Sequence, residues 1–107
     1  MDDLKELLPL AARACGYTLG VLGDRVVRIE SDGQSVYWNP LTPGDGAEME
    51  DKLKISVHRI PDGVCSYVEG AIGLYQRYEM HADHPDEGTA RKWASLRVAA
   101  AIGRAMK

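Results

Sequence analysis

The stretch RVVRIESDGQSVYW, residues 25–38, alternates apolar and polar side chains on either side of an Asp32-Gly33 pair. Asp-Gly supplies the two positive-φ positions that a two-residue type I′ turn requires, so the segment reads as a β-hairpin. Counting away from such a turn pairs Ile29 with Val36 and Val27 with Trp38 on an apolar face directed at a core. Arg28 then meets Tyr37, and Glu30 meets Ser35, on the opposite face. A short strand at YTLGVL, residues 17–22, is expected to precede the hairpin.

The same device recurs in ISVHRIPDGVCSYVEG, residues 55–70, where Asp62-Gly63 turns one strand into the next. Here the count pairs Ile60 with Cys65, His58 with Tyr67 and Val57 with Val68. A third strand at LYQRYEM, residues 74–80, follows across the GAIG connection. Helical patterns fill the remainder. Leu4, Leu7, Leu8, Ala11 and Cys15 fall on one helical face, Asp3 with Glu6 reads as a capping box and Gly16 as a stop, giving a helix over about residues 3–15. Pro9 interrupts it, so the helix bends there or its regular part begins near Leu8.

A second helix starts with Thr42 as N-cap and Pro43 in its first turn, and ends near Lys52 and Lys54; Ala47, Met49 and Leu53 are its thin apolar stripe, which suits a helix lying on a surface. A third runs from about Pro85 to Ala105. The elements follow the order α-ββ-α-βββ-α, and tight hairpins make the sheet mainly antiparallel. The expected fold is therefore α+β, a layered αβα sandwich with three helices on a sheet of about five strands, formed by residues 1–107 as one domain.

Bulk composition narrows the function classes. With 107 residues, 45% hydrophobic and 27% charged, the chain has the make-up of a soluble globular domain, not of a disordered one. Thirteen basic against sixteen acidic side chains leave a net charge of -3, which opposes nucleic-acid binding. Cys15 and Cys65 form no Cys-x-x-Cys, so neither a disulfide framework nor a thiol-rich zinc site is signalled. The opening MDDLKELLPLAARACG carries acids where a secretory signal carries bases, and its charges break any membrane span; a reducing cytoplasm is expected.

Three segments carry a family likeness. YWNPLTPGDGAEMEDKLKISV (37–57), flanked by ELLPLAARACGY (6–17) and ARKWASLRVAAAIGRAMK (90–107), resembles the phage alpha-beta-alpha sandwich domain, a group of small proteins encoded by tailed phages and bacterial prophages. The likeness rests on an aromatic-x-Pro-x-Thr step into a short helix, a first helix ending in Gly-aromatic, and an Ala-rich last helix. It implies an αβα sandwich in a bacterial host cell, with no assigned activity and no functional residues to carry over.

Chemistry-bearing motifs are sparse, and no catalytic residue and no cofactor is expected. HADHPDEG, residues 81–88, holds His81, Asp83 and His84, which would be the ligands of a metal-dependent hydrolase. The commoner explanation is a helix start: Asp83 or His84 as cap, Pro85 in the first turn, and Asp86 and Glu87 at the positive end of the helix dipole. A nucleophilic Cys65 with His58 lacks the helix N-terminus or cation that activates a thiol. The last helix offers two faces: Ser95, Val98, Ala99, Ile102 and Met106 suit a sheet, whereas Trp93, Leu96, Ala100, Arg97 and Arg104 lie opposite. Trp93, Leu96, Arg97 and Arg104 are accordingly the candidate partner-binding residues, for another protein or for a second copy in a homodimer. Arg91, Lys92, Arg97, Arg104 and Lys107 would serve the alternative reading, a nucleic-acid accessory protein.

Overall fold

The computed structural model describes residues 4–23, 25–30, 32–68 and 76–106, the side chains of His81 and Glu87 excepted. In chain order the elements are α1 (Leu4–Cys15), β1 (Thr18–Leu22), β2 (Arg25–Ile29), β3 (Ser35–Tyr37), α2 (Pro43–Leu53), β4 (Ile55–Ile60), β5 (Gly63–Val68), β6 (Arg77–Met80), a 3-10 turn (His81–Asp83) and α3 (Glu87–Ala105). The GAIG connection and the start of the expected LYQRYEM strand lie outside the described residues.

The fold is α+β, with three helices among the described residues, and the strands described there do not join in one sheet. They form two antiparallel three-stranded sheets, β1-β2-β3 and β4-β5-β6, in which each strand pairs with its neighbour in sequence. The break falls where β3 stops after three residues and the chain dives inward at Trp38 and Pro40 before entering α2.

Helix α3 sits between α1 and the second sheet. Its Leu96, Ala99 and Ala100 pack with Leu7, Leu8, Ala11 and Cys15 of α1 in the main core, which Trp38, Met49 and Ile55 complete. Ala90 and Ala94 form a second cluster with Val64 of β5. Both of its expected faces are thus covered except at the C-terminal end, where Arg104 and Met106 are exposed, and Leu96 is 0% exposed. Alanine makes this possible, because a helix lined with small side chains lets neighbours approach on several sides without leaving voids. The tightest approach is at Gly103, where an added methyl would overlap the Leu10 carbonyl oxygen of α1.

Both hairpins differ in register from the count, for reasons that lie in the turns. In the first, Gly33 alone is at positive φ, Gly33 N–H donates to the Glu30 carbonyl, and Glu30 N–H donates to Gln34. Asp32 is not at positive φ, so the two-residue type I′ turn, which needs positive φ at both Asp32 and Gly33, is not formed, and the pairing closes at Glu30 and Gln34 instead. The register becomes Val27↔Tyr37, Arg28↔Val36 and Ile29↔Ser35. A one-residue slip exchanges the faces of one strand relative to the other. Val27 and Trp38 are still both buried, but on opposite sides of the sheet, while Ile29 and Val36 are exposed.

In the second hairpin the loop is Pro61-Asp62, Ile60 pairs with Gly63, and His58 stands opposite Cys65. That shift is by an even number, so every side chain keeps its expected face. Gly63 is needed because any Cβ there would run into the Glu79 backbone of β6.

Helix ends follow local chemistry. Pro9 does not stop α1, and both Pro9 and Lys5, whose carbonyl loses its amide partner, are exposed, where water serves instead. Asp86, not Asp83 or His84, caps α3: its carboxylate accepts from Thr89 N–H at 2.7 Å, and that bond holds its pKa below the usual range. Thr42 precedes α2 in extended conformation but its hydroxyl donates to the Asn39 carbonyl. Lys54 ends α2 in the left-handed region at φ 58°, a conformation glycine adopts freely.

Two substitutions are expected to act against ordinary helix propensity or with it. Gly103→Ala, normally stabilising within a helix, lowers unfolding free energy by about 1–3 kcal/mol because it forces α1 from α3. Lys54→Gly raises it by about 1 kcal/mol by removing left-handed strain. Urea titrations of the two variants beside the wild type check both signs.

Candidate functional site

Three groups of polar side chains deserve chemical weight. The first gathers around Glu79, which β6 places opposite Val64 and so on the α3 side of the sheet. Glu79 Oε1 lies 2.8 Å from His84 Nε2, and Oε2 lies 2.7 Å from Arg97 Nε. Trp93, four residues before Arg97 on α3, has that guanidinium 5.4 Å from its ring centroid and the His84 ring stacked at 6.4 Å. Both carboxylate oxygens are engaged. The indole is held between two partners of its own chain, which fixes the loop before α3 against β6.

The second group is a buried chain of hydroxyls. Ser95 Oγ donates to Glu50 Oε2 at 2.6 Å, and Ser66 Oγ lies 3.0 Å from Ser95 Oγ. Ser95 has a single hydroxyl proton, already given to Glu50, so Ser66 must donate to Ser95. Arg91 closes the series with Nη2 2.8 Å from Glu50 Oε1, and this hydrogen bond raises the Arg91 pKa. A carboxylate-activated serine is nucleophilic chemistry in outline. Ser66 and Ser95 are fully enclosed, however, so no substrate reaches them. The chain instead pins α2 to α3 and β5.

The third group occupies the other side of the second sheet. His58 and Cys65 are directly opposite, and the His58 ring stacks on Tyr67 diagonally at 5.5 Å. The Cys65 thiol, 4% exposed, accepts from the Gln76 amide at 3.3 Å, and the same nitrogen donates to the Tyr78 hydroxyl. A neutral amide does not create a thiolate as a cation or helix N-terminus does.

The sequence candidates are dispersed among these groups. Asp83 is exposed, His84 is taken by Glu79, and the His81 side chain lies outside the described residues. Among the described residues no set of three or more His, Cys, Asp and Glu is placed to hold a metal ion. Of the proposed partner-binding residues, Leu96 lies in the core with Leu7, Leu8 and Ala11 of α1 and cannot contact a partner. Trp93 and Arg97 belong to the Glu79 group. Arg104 alone remains well exposed, 3.9 Å from Glu6. The basic face proposed for nucleic acid is depleted likewise, since Arg91 pairs with Glu50 and Arg97 with Glu79; Lys107 lies outside the described residues.

Glu79, Glu50 and the two serines were not singled out from the sequence. Glu79 carried one available signal: an acid at an alternating position of a short strand that must face inward. Compared with protein-family models, curated proteins and solved structures, the chain gives no match. Among the described residues, no helix is long and apolar enough to cross a membrane.

One ionisable core residue yields a pH test. Burial pushes the Cys15 thiol up to about 11 from 9.0, with Lys52 opposing in part. The unfolded chain then loses this proton before the folded one, so the Cys15 contribution to stability is whole below pH 9 and declines as pH rises toward 11. Chemical denaturation at pH 8 and pH 11 is expected to show the wild type losing roughly 2–3 kcal/mol more than Cys15→Ala over that interval.

Proposed function

We propose that the protein is a non-enzymatic interaction module of phage or prophage origin, working in the bacterial host cell by binding another polypeptide. The observation that carries the reading is where the exposed large apolar side chains lie: among the described residues Leu22, Ile29 and Tyr37 share one side of the first sheet, Val21 and Val36 lie on its other side, Tyr78 and Met80 share the outer side of the second, and only Met106 stands at the end of α3. Apolar side chains grouped on one side of a sheet, as Leu22, Ile29 and Tyr37 are, mark contact surfaces on small domains. The groups with catalytic chemistry meanwhile satisfy one another or are enclosed. The docking surface therefore belongs to the sheets, and α3 serves as the internal support. Phage kinship is supported by the aromatic-x-Pro-x-Thr step at Trp38–Thr42 and by the Ala-rich α3, the features on which the family likeness rests.

Site-directed photo-crosslinking in the cells that make the protein tests the reading. A photo-reactive phenylalanine analogue in place of Tyr37 or Tyr78 is expected to give polypeptide adducts, and the same analogue in place of the exposed Arg13 on α1 to give none. Absence of adducts from both sheet positions overturns it.

A further inference from the structure

We infer that the chain self-associates by antiparallel pairing of β1 with β1 of a second copy, a proposal that rests on the interaction-module reading and adds to it a contact at an edge away from Tyr37 and Tyr78. The first sheet ends at β1, and among the described residues no strand or hydrogen bond occupies the outer edge of Thr18–Leu22. Proteins ordinarily guard such edges by keeping them short or by placing charges on them. The other three terminal strands follow that practice: β3 has three residues, β6 carries Arg77 and Glu79, and β4 carries His58 and Arg59. TLGVL has no charge, no proline and five residues. Its Val21 is 74% exposed and its Leu22 55%.

The occupant follows from the strand itself. An uncharged segment can lie against its own copy without opposing like charges, and a two-fold axis through Gly20 gives a self-consistent register. Gly20 then faces Gly20 of the partner subunit, Val21 faces Leu19 of the partner subunit, and Leu22 faces Thr18 of the partner subunit. Val21 and Leu19 share the side of the sheet on which a groove of about 500 Å³ opens between α1 and β1, lined by the apolar Leu4, Leu8, Pro9 and Val26 and edged by Lys5 and Arg25. Pairing would bury Val21 at the mouth of that groove in both copies. The result is a continuous six-stranded sheet, the first sheet of each protomer contributing three strands. A strand this short covers much less than the ~800 Å² per partner of a stable interface, so the pairing is weak and is populated at high protein concentration.

Sedimentation equilibrium of the full chain, from about 10 μM to about 1 mM, reads weak association directly. The wild type is expected to rise from monomer toward dimer mass, Val21→Lys to stay monomeric with an unchanged circular-dichroism melt, and Tyr78→Lys on the second sheet to match the wild type. Concentration-dependent protection of the amides of residues 18–22 from hydrogen exchange should accompany dimerisation. A wild type that stays monomeric throughout, or a Val21→Lys variant that dimerises like it, overturns the pairing. If the crosslinks from Tyr37 or Tyr78 then still capture a different polypeptide, only the self-pairing has failed; if they too are absent, the parent reading falls with it.

Discussion

Everything in this molecule is arranged around how closely α1 can lie on α3. At Gly103 the two backbones touch where a single methyl would not fit, and Ala11, Ala12, Ala99 and Ala100 keep the rest of the seam thin. A close seam brings large side chains elsewhere within reach: Leu7 and Leu8 meet Leu96, and Trp38 seals the cluster from the first sheet. Dispersion contacts are individually small but numerous at this density, so a helix pair of small residues gains as much from proximity as a looser pair gains from bulk. The two sheets have no hydrogen-bonded strand pair between them among the described residues. The first sheet joins the body through the core it shares with α1 and through the Arg28–Glu48 pair to α2, and the second sheet joins it through α3.

Polar groups do what apolar ones lack the room to do. Helix α2 has few oily residues, and its Glu50, which interrupts the stripe, becomes its firmest attachment by reaching Ser95 and Arg91. Glu79 plays the same part for the second sheet. A buried carboxylate left alone would be very costly, but one with both oxygens engaged can fix geometry. Both acids are structural by their surroundings: each holds two of the molecule's elements together.

What the sequence disclosed was set by how locally each feature is determined. All three helices, both hairpins and the preceding strand at Thr18–Leu22 were legible, because period, caps and turn residues lie within a few positions of each other. The hairpin registers were not. Asp32-Gly33 is compatible with a two-residue and a three-residue loop, and only the parity of that choice tells whether Val36 or Tyr37 shares a side with Val27. In the second hairpin the slip was even and harmless to the faces. The division into two sheets was equally hidden, since it depends on how β3 ends. At the candidate site, Trp93 and Arg97 were visible as a helical pair. Glu79, which reaches them from β6, was not; His84 stood out as a metal ligand or helix cap and not as their partner, and the burial of Leu96 by a helix far away in sequence was hidden as well.

The central position of α3 bears on how the chain acquires its shape. It follows both sheets in chain order, and its main contact is with α1, which precedes them. During synthesis α1 therefore leaves the ribosome with the face that meets α3 uncovered and waits for a support made after both sheets. The hairpins close through local contacts, whereas the α1–α3 seam closes a loop that spans both sheets and α2, so its formation is expected to set the folding rate. In that interval the nascent chain is a natural client for holdase chaperones.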